Sequence, residues 1–353
     1  MPPDPTTSDS TTPDSTTPDD TAPAIWAEQA NGIQLNVLRW GPKPAPGDRD
    51  PKPATGGRDP EPNQGDQELK PATILVCGTG FPGLTWHAVA QMLADDYTVY
   101  SFDRRGHGNS EKPPPVGPDS AQPPGWGYDF SDFADDLLGL IDALKLTDRH
   151  SELYGIGHSA GGTDLLLAAG RRPGLFARVL VHEPTIAHSK VEAPGPPPPA
   201  LRDGASGRRR RIEFESAAAL FTRYGSRPPF NVWRAGILWD YVEGGFETRP
   251  DGSVRLLCLP DVEAEMLVAI GSAISQNHVA EGLDDPFPII ENITCPVMLT
   301  TGALSQPQYR RMAAGAVQAI PHAQLQEIPG CTHFLPMQLP EELIARVRAF
   351  ANA

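Results

Sequence analysis

From Ala72 to His182 the chain alternates short, continuously apolar runs with amphipathic stretches, and this alternation restricts the possible fold more than any other feature. Ala72 to Cys77 (ATILVC) is apolar without interruption, as expected of a strand covered on both faces of a parallel sheet. A helix is expected over Trp86 to Ala94, a strand over Thr98 to Phe102 and a helix over Phe130 to Leu144. A strand over Glu152 to Ile156, a helix over Ala160 to Ala169 and a strand over Arg178 to His182 continue the series. Repeated strand-then-helix units predict an α/β fold with a mostly parallel, doubly wound sheet, because each parallel crossover needs a covering helix. Ahead of this block, Ile25 to Gln29 and Ile33 to Arg39 flank Ala30-Asn31-Gly32, and Asn-Gly between alternating runs predicts an antiparallel hairpin.

The rhythm stops between about Thr185 and Asp285, where Pro-rich loops surround helix-like stretches at Phe214 to Tyr224, Trp233 to Tyr241 and Val262 to Ile274. An inserted, mainly helical cap over 185–285 is expected there. It divides an α/β core of residues 23–184 from a C-terminal core portion, 286–353, with strand Val297 to Thr301, helix Tyr309 to Ile320, strand Gln324 to Ile328 and closing helix Glu341 to Ala351. Residues 1–22 hold no aliphatic side chain larger than Ala beyond Met1, so they cannot bury enough surface to offset chain entropy and read as a disordered tail. The Pro- and Gly-rich Gly41 to Pro71 reads as a long solvent loop.

Charge and cysteine content narrow the partners. A formal charge of −15 opposes binding to nucleic acid or anionic membranes. The basic run Arg208 to Arg211 is the local exception and reads as a solvated loop beside the Pro-rich segment Pro194 to Pro199. No stretch of eighteen apolar residues occurs, and the N-terminus lacks the basic and then apolar regions of a secretory signal, so a soluble, cytoplasmic protein is expected. Cys77, Cys258, Cys295 and Cys331 show no CxxC spacing and fit reduced core thiols rather than a disulfide framework or a metal site.

The chemistry concentrates at Gly157-His158-Ser159-Ala160-Gly161, a GxSxG sequence with a predicted strand before it and a predicted helix after it. A sharp strand-to-helix turn there would force Ser159 into strained backbone geometry, and glycines two positions either side let neighbouring chains approach. Ser159 would stand at a helix N-terminus, whose N–H groups favour developing negative charge. The alternative is a glycine-rich turn with an N-capping serine.

With that motif in that setting, the chain from about residue 25 to the C-terminus resembles the α/β-hydrolase superfamily. The resemblance implies an oxyanion loop at Gly78-Thr79-Gly80-Phe81-Pro82-Gly83, with Cys77 where the family usually has histidine. Its backbone donors would be the amide of Ala160 and that of Thr79 or Gly80. Asp103-Arg104-Arg105-Gly106-His107-Gly108-Asn109-Ser110 is similar to the family's DxRGxGxS turn, which makes His107 a fold-bracing residue. Triad order in this fold is serine, acid, histidine, so the base is expected at His333, in Gly330-Cys331-Thr332-His333-Phe334 after the last strand. The family's usual acid position, three residues past Gly302, holds Ser305. Glu183, at the end of the strand before the cap, is the expected substitute, and its spacing of twenty-four residues after Ser159 resembles the zearalenone-lactonase type of hydrolase. The competing assignment keeps Glu183 as a cap-docking carboxylate, with the acid at Asp284, Asp285 or nowhere.

These residues imply a serine hydrolase acting on a hydrophobic carboxylic ester or lactone, since the cap is rich in large apolar groups such as Phe221, Trp233, Trp239 and Tyr241. No cofactor or metal is implied. Carbon–carbon bond hydrolysis, an amidase or iminopeptidase activity, perhydrolysis, or a ligand-sensing module with poor turnover would use the same constellation.

Overall fold

A computed structural model of the protein describes residues 22–41, 69–114, 127–186, 204–275 and 287–352. Most of the expected tail and of the Gly41 to Pro71 loop, the segment Pro194 to Pro199, and Asp284 and Asp285 lie outside the described residues.

The hairpin forms β1 (Ala24–Ala30) and β2 (Ile33–Trp40), in antiparallel register from Ala24 opposite Arg39 to Ala30 opposite Ile33. Its two-residue turn needs positive φ at both positions, which Asn31 (51°) and Gly32 (76°) supply. β3 (Ala72–Val76) leads through a 3₁₀ turn (Gly83–Trp86) into α1 (His87–Leu93) and β4 (Thr98–Phe102). α2 (Phe130–Ala143), the short α3 (Leu146–Arg149), β5 (Leu153–His158), α4 (Ala160–Arg171) and β6 (Arg178–His182) complete the first half of the core. Beyond the cap come β10 (Val297–Gly302), α9 (Pro307–Ala319), β11 (Ala323–Ile328), α10 (Leu335–Gln338) and α11 (Pro340–Ala351).

The eight core strands form one sheet in the order β1-β2-β4-β3-β5-β6-β10-β11, antiparallel where β2 meets β1 and β4 and parallel elsewhere. Alternation along β3 sorts its side chains between two apolar layers. Ile74 and Val76 pack with Leu137, Ile141 and Leu165 of α2 and α4, whereas Leu75 and Cys77 pack with Val89, Leu93, Leu343 and Val347 of α1 and α11. Burial on both faces is why ATILVC carries no polar alternation. The layers hold the carboxyl ends of β3, β5, β6, β10 and β11 at one edge, where an open α/β sheet places its ligands.

The described cap residues include α5 (Ala205–Arg208), α6 (Ala217–Gly225), α7 (Ala235–Gly245) and α8 (Pro260–Ser275). They also contain an antiparallel sheet in the order β7-β9-β8, formed by β7 (Glu213–Phe214), β8 (Phe246–Thr248) and β9 (Val254–Leu256). The expectation of a mainly helical insertion missed this sheet. Strands of two or three residues are too short to show a period of two, and it is the packing of Phe214, Phe246, Val254 and Leu256 into one cluster that stabilises them. Among the described residues no helix is long and apolar enough to cross a membrane.

Candidate active site

Ser159 occupies the junction of β5 and α4 with φ 55° and ψ −127°, a conformation that costs a non-glycine residue about 1–3 kcal/mol. Close approach of neighbouring chains holds it there. A Cβ on Gly161 would come within 2.3 Å of the Cys77 carbonyl oxygen, and one on Gly157 within 2.6 Å of Gly162 Cα. The Ser159 amide donates to the His182 carbonyl at 2.9 Å, tying the turn to the end of the neighbouring strand β6. On the other side, a Cβ on Gly78 would lie 3.0 Å from Ser159 Cβ, so the loop after β3 passes directly against the serine.

The next residue along β6 is Glu183, fully buried, with φ 47°. Its Oε2 lies 2.7 Å from His333 Nδ1, and its Oε1 accepts the Gly302 amide at 2.8 Å. A carboxylate accepts only, so Nδ1 carries the hydrogen and Nε2 is the basic nitrogen of the neutral ring. Burial lowers the His333 pKa to about 3, which keeps the imidazole unprotonated and able to take a proton. The Gly302 contact brings the Glu183 carboxylate to the end of β10, the strand whose following loop carries Ser305. Ser305 Oγ is buried and has no hydrogen-bond partner among the described residues.

Two further histidines, expected in the turn and in a buried strand, contact the loop that carries His333. His158 Nε2 donates to the His333 carbonyl at 2.7 Å, and His182 Nε2 to the Thr332 carbonyl at 3.3 Å. Burial drives both pKa values down, His182 to about 3 and His158 well below its ordinary value, so both are neutral donors. The consecutive carbonyls of Thr332 and His333 are thus held by the ends of β6 and β5. Tyr309, in the first turn of α9, stacks on the His333 ring at 3.9 Å between centroids and 14° between planes. Sequence reasoning missed it, because only the loop closure after β10 brings an ordinary helix-start tyrosine beside the histidine. Among the described residues no group of three or more His, Cys, Asp and Glu side chains is arranged to hold a metal ion.

The structure separates the two possible oxyanion amides. Gly80 N–H donates to His107 Nε2 at 2.8 Å, while His107 Nδ1–H reaches the Arg105 carbonyl at 2.9 Å. Gly80 is therefore corrected as a candidate donor, since its amide is committed to His107, and Thr79 and Ala160 remain. His107 is fully used in bracing the loop, with burial lowering its pKa to about 3. Cys77 Sγ donates to the Pro82 carbonyl at 3.2 Å, closing the loop from inside. Asp103 holds its far end by accepting the amide of Gly83 (2.7 Å), the amide of Asn109 and the Asn36 side chain (both 2.8 Å).

The cap rests on this loop. Phe81 sits 5.3 Å from Trp233, 5.9 Å from Tyr241 and 6.2 Å from Phe334 by ring centroids, joining the loop after β3, the cap and the loop of His333 in one aromatic cluster. The basic run departs from its expected solvation at one position: Arg210 turns inward, pairs with Glu263 at 2.6 Å and bonds to the Tyr241 hydroxyl. Trp239, by contrast, is part-exposed on the cap surface.

The chain is 27% identical over 262 residues to 2-(acetamidomethylene)succinate hydrolase of Mesorhizobium japonicum, a match covering 74% of this chain and 81% of that protein. Its fold is similar to the crystal structure of E-2-(acetamidomethylene)succinate hydrolase (TM-score 0.65, 20% identity, 94% of this chain and 100% of that one). It is likewise similar to the enol-lactonase from Burkholderia xenovorans LB400 (TM-score 0.58, 19% identity, 93% and 100%). The model of the alpha/beta hydrolase family matches residues 73–347, and the chain belongs to that family.

Proposed function

We propose that the protein is a serine hydrolase that cleaves a carboxylic acyl bond through an acyl-enzyme on Ser159. The observation that carries this reading is the contact of Glu183 Oε2 with His333 Nδ1 at 2.7 Å, the carboxylate being anchored from behind by the Gly302 amide. That arrangement fixes the tautomer in which Nε2 can take the Ser159 proton as the hydroxyl oxygen attacks the substrate carbonyl. The oxyanion that forms would be met by the amides of Thr79 and Ala160, each contributing about 3–4 kcal/mol of transition-state stabilisation. Collapse of the tetrahedral species returns the proton from His333 to the leaving group. Water, activated by the same nitrogen, then releases the acid.

For the scissile bond, the apolar cluster around Phe81 and the enol-lactonase likeness support a hydrophobic ester or lactone. The acid's position twenty-four residues past the nucleophile supports kinship with lactonases of the zearalenone type within this reading. A second reading, an amide substrate, is favoured by the relative whose name contains an acetamido group. Fold does not choose between them. Purified protein should be labelled by a fluorophosphonate at Ser159 and should turn over members of a panel pairing ester, lactone and amide of the same acyl group. Absence of both labelling and turnover would refute the proposal, and the ester-to-amide ratio of kcat/KM decides between the two readings.

A further inference from the structure

His158 and His182 stand side by side at the ends of β5 and β6, and both donate to the loop that carries His333, yet they are bonded differently. His182 has a partner at each nitrogen, the Thr300 hydroxyl at 3.0 Å on Nδ1 and the Thr332 carbonyl at 3.3 Å on Nε2. His158 holds the carbonyl of His333 itself, at 2.7 Å from Nε2, and its ring lies 4.8 Å from the His333 ring by centroids. Its Nδ1 is buried and has no hydrogen-bond partner among the described residues. That nitrogen faces the backbone of the loop after β3, where a Cβ on Gly78 would lie 3.3 Å away.

An unpartnered buried acceptor costs about 1–3 kcal/mol. Packing alone does not call for it: His158 is fully buried with Phe81 and Phe334 each 6.1 Å away by centroids, and an apolar side chain there would avoid the cost. What the imidazole supplies and an apolar group cannot is the Nε2–H donor to His333. His158 is also joined by one peptide bond to Ser159, whose backbone is held at φ 55° and ψ −127° by the close approaches of Gly78, Gly157 and Gly161. A side chain anchored at that turn and bonded to the main chain of His333 fixes how far the imidazole stands from the serine. The other ties act elsewhere: Glu183 holds Nδ1, Tyr309 stacks on the ring, and His182 holds the preceding carbonyl by a longer bond.

We infer that His158 is a positioning residue for the proposed base, setting the separation of Ser159 and His333 through the hydrogen bond from its Nε2 to the His333 carbonyl. The inference rests on the acyl-enzyme reading above and adds to it a residue that acts through His333 rather than on the substrate. A displacement of about 1 Å between reacting groups lowers a rate by about a hundredfold, so one backbone tether has leverage on kcat. Ground-state binding is spared, because His158 is fully buried.

Replacement by leucine and by glutamine separates the donor from the bulk. Leucine fills the space and donates nothing, whereas glutamine can place an amide N–H where Nε2 stands. With 4-nitrophenyl butyrate as substrate, His158→Leu should lose about ten- to a hundredfold in kcat and in the rate of fluorophosphonate labelling, with KM within about threefold of wild type. His158→Gln should return kcat and labelling to within about fivefold of wild type, by restoring the donor. A folded His158→Leu protein within about threefold of wild type in kcat and labelling rate overturns the assignment, as does a loss carried by KM. So does a folded His158→Gln protein no faster than His158→Leu. Circular dichroism and thermal melting establish folding, and if His158→Leu does not fold, His158→Met, whose unbranched side chain adapts to irregular space, is held to the same limits. A wild type that is neither labelled nor active on the ester, lactone and amide panel would instead remove the acyl-enzyme reading on which the inference stands.

Discussion

Replacing Glu183 by Gln tests the proposed site most directly, because the change is nearly isosteric and the carboxylate makes two well-defined contacts. Its Oε1 takes the Gly302 amide and its Oε2 takes His333 Nδ1–H. A carboxamide can satisfy only one of these donors. If its oxygen stays on Gly302, its NH₂ faces His333 Nδ1 and favours the tautomer with hydrogen on Nε2, which cannot accept the serine proton. If its oxygen faces His333, two donors meet at Gly302. Either way the stabilisation of the imidazolium is lost with the charge. The expected fall in kcat is about 10²–10⁴-fold, or roughly 3–5 kcal/mol of activation free energy. KM should move little, since Glu183 is fully buried behind the histidine. The assay is steady-state hydrolysis of an activated ester, with circular dichroism and thermal melting to show that the variant folds. A folded Glu183→Gln protein with near-wild-type kcat would refute the argument, and Ser305→Asp, at the start of the next loop, should restore part of the lost rate if its carboxylate reaches the imidazole.

Ser159→Ala should abolish turnover and fluorophosphonate labelling, whereas Ser159→Gly should do the same and also raise stability by about 1 kcal/mol, seen as a melting shift of about 1–2 °C, because glycine relieves the φ of 55°. Tyr309→Leu should lower kcat by about three- to thirtyfold through loss of the stacked ring that stabilises a protonated His333, and Tyr309→Phe should stay near wild type. The base acts only when neutral and burial lowers its pKa, so kcat/KM should hold as pH falls through 6.5 and decline only below it; an acid limb centred above 6.5 would contradict that environment. Ser305→Ala removes a buried, unpartnered hydroxyl and should change kcat less than threefold and stability by less than about 1 kcal/mol in chemical denaturation.

How much of this was legible in the sequence depended on the range of the signal. Strands at 98–102 and 178–182 have the expected limits because each is a doubly covered apolar run with sharp polar ends. The Asn-Gly hairpin was equally plain, being encoded by two residues with a special backbone preference. Ser159 was visible through the glycines that its crowded turn requires, and Glu183 and His333 through strand ends and the gap at Ser305. The competition between Thr79 and Gly80 was not legible, because it turns on a hydrogen bond to His107 from a separate loop. The same holds for Tyr309 and for the His158 and His182 contacts: side-chain partners more than twenty residues apart leave no local pattern.

Placing a carboxylate at the end of β6 changes how the working parts are distributed along the chain. Ser159 and Glu183 leave neighbouring strands of the first core portion, and the cap follows Glu183 almost at once, so the insertion separates this pair from His333 alone. Variation in cap length therefore leaves the serine–acid spacing untouched, and every such change is felt through the seating of β10 and β11 against β6. A chain cut within the cap would yield one fragment with the proposed nucleophile and acid and another with the proposed base. Recovered turnover on mixing the two would then report that β10 had docked on β6, making the molecule a natural starting point for a fragment-complementation sensor.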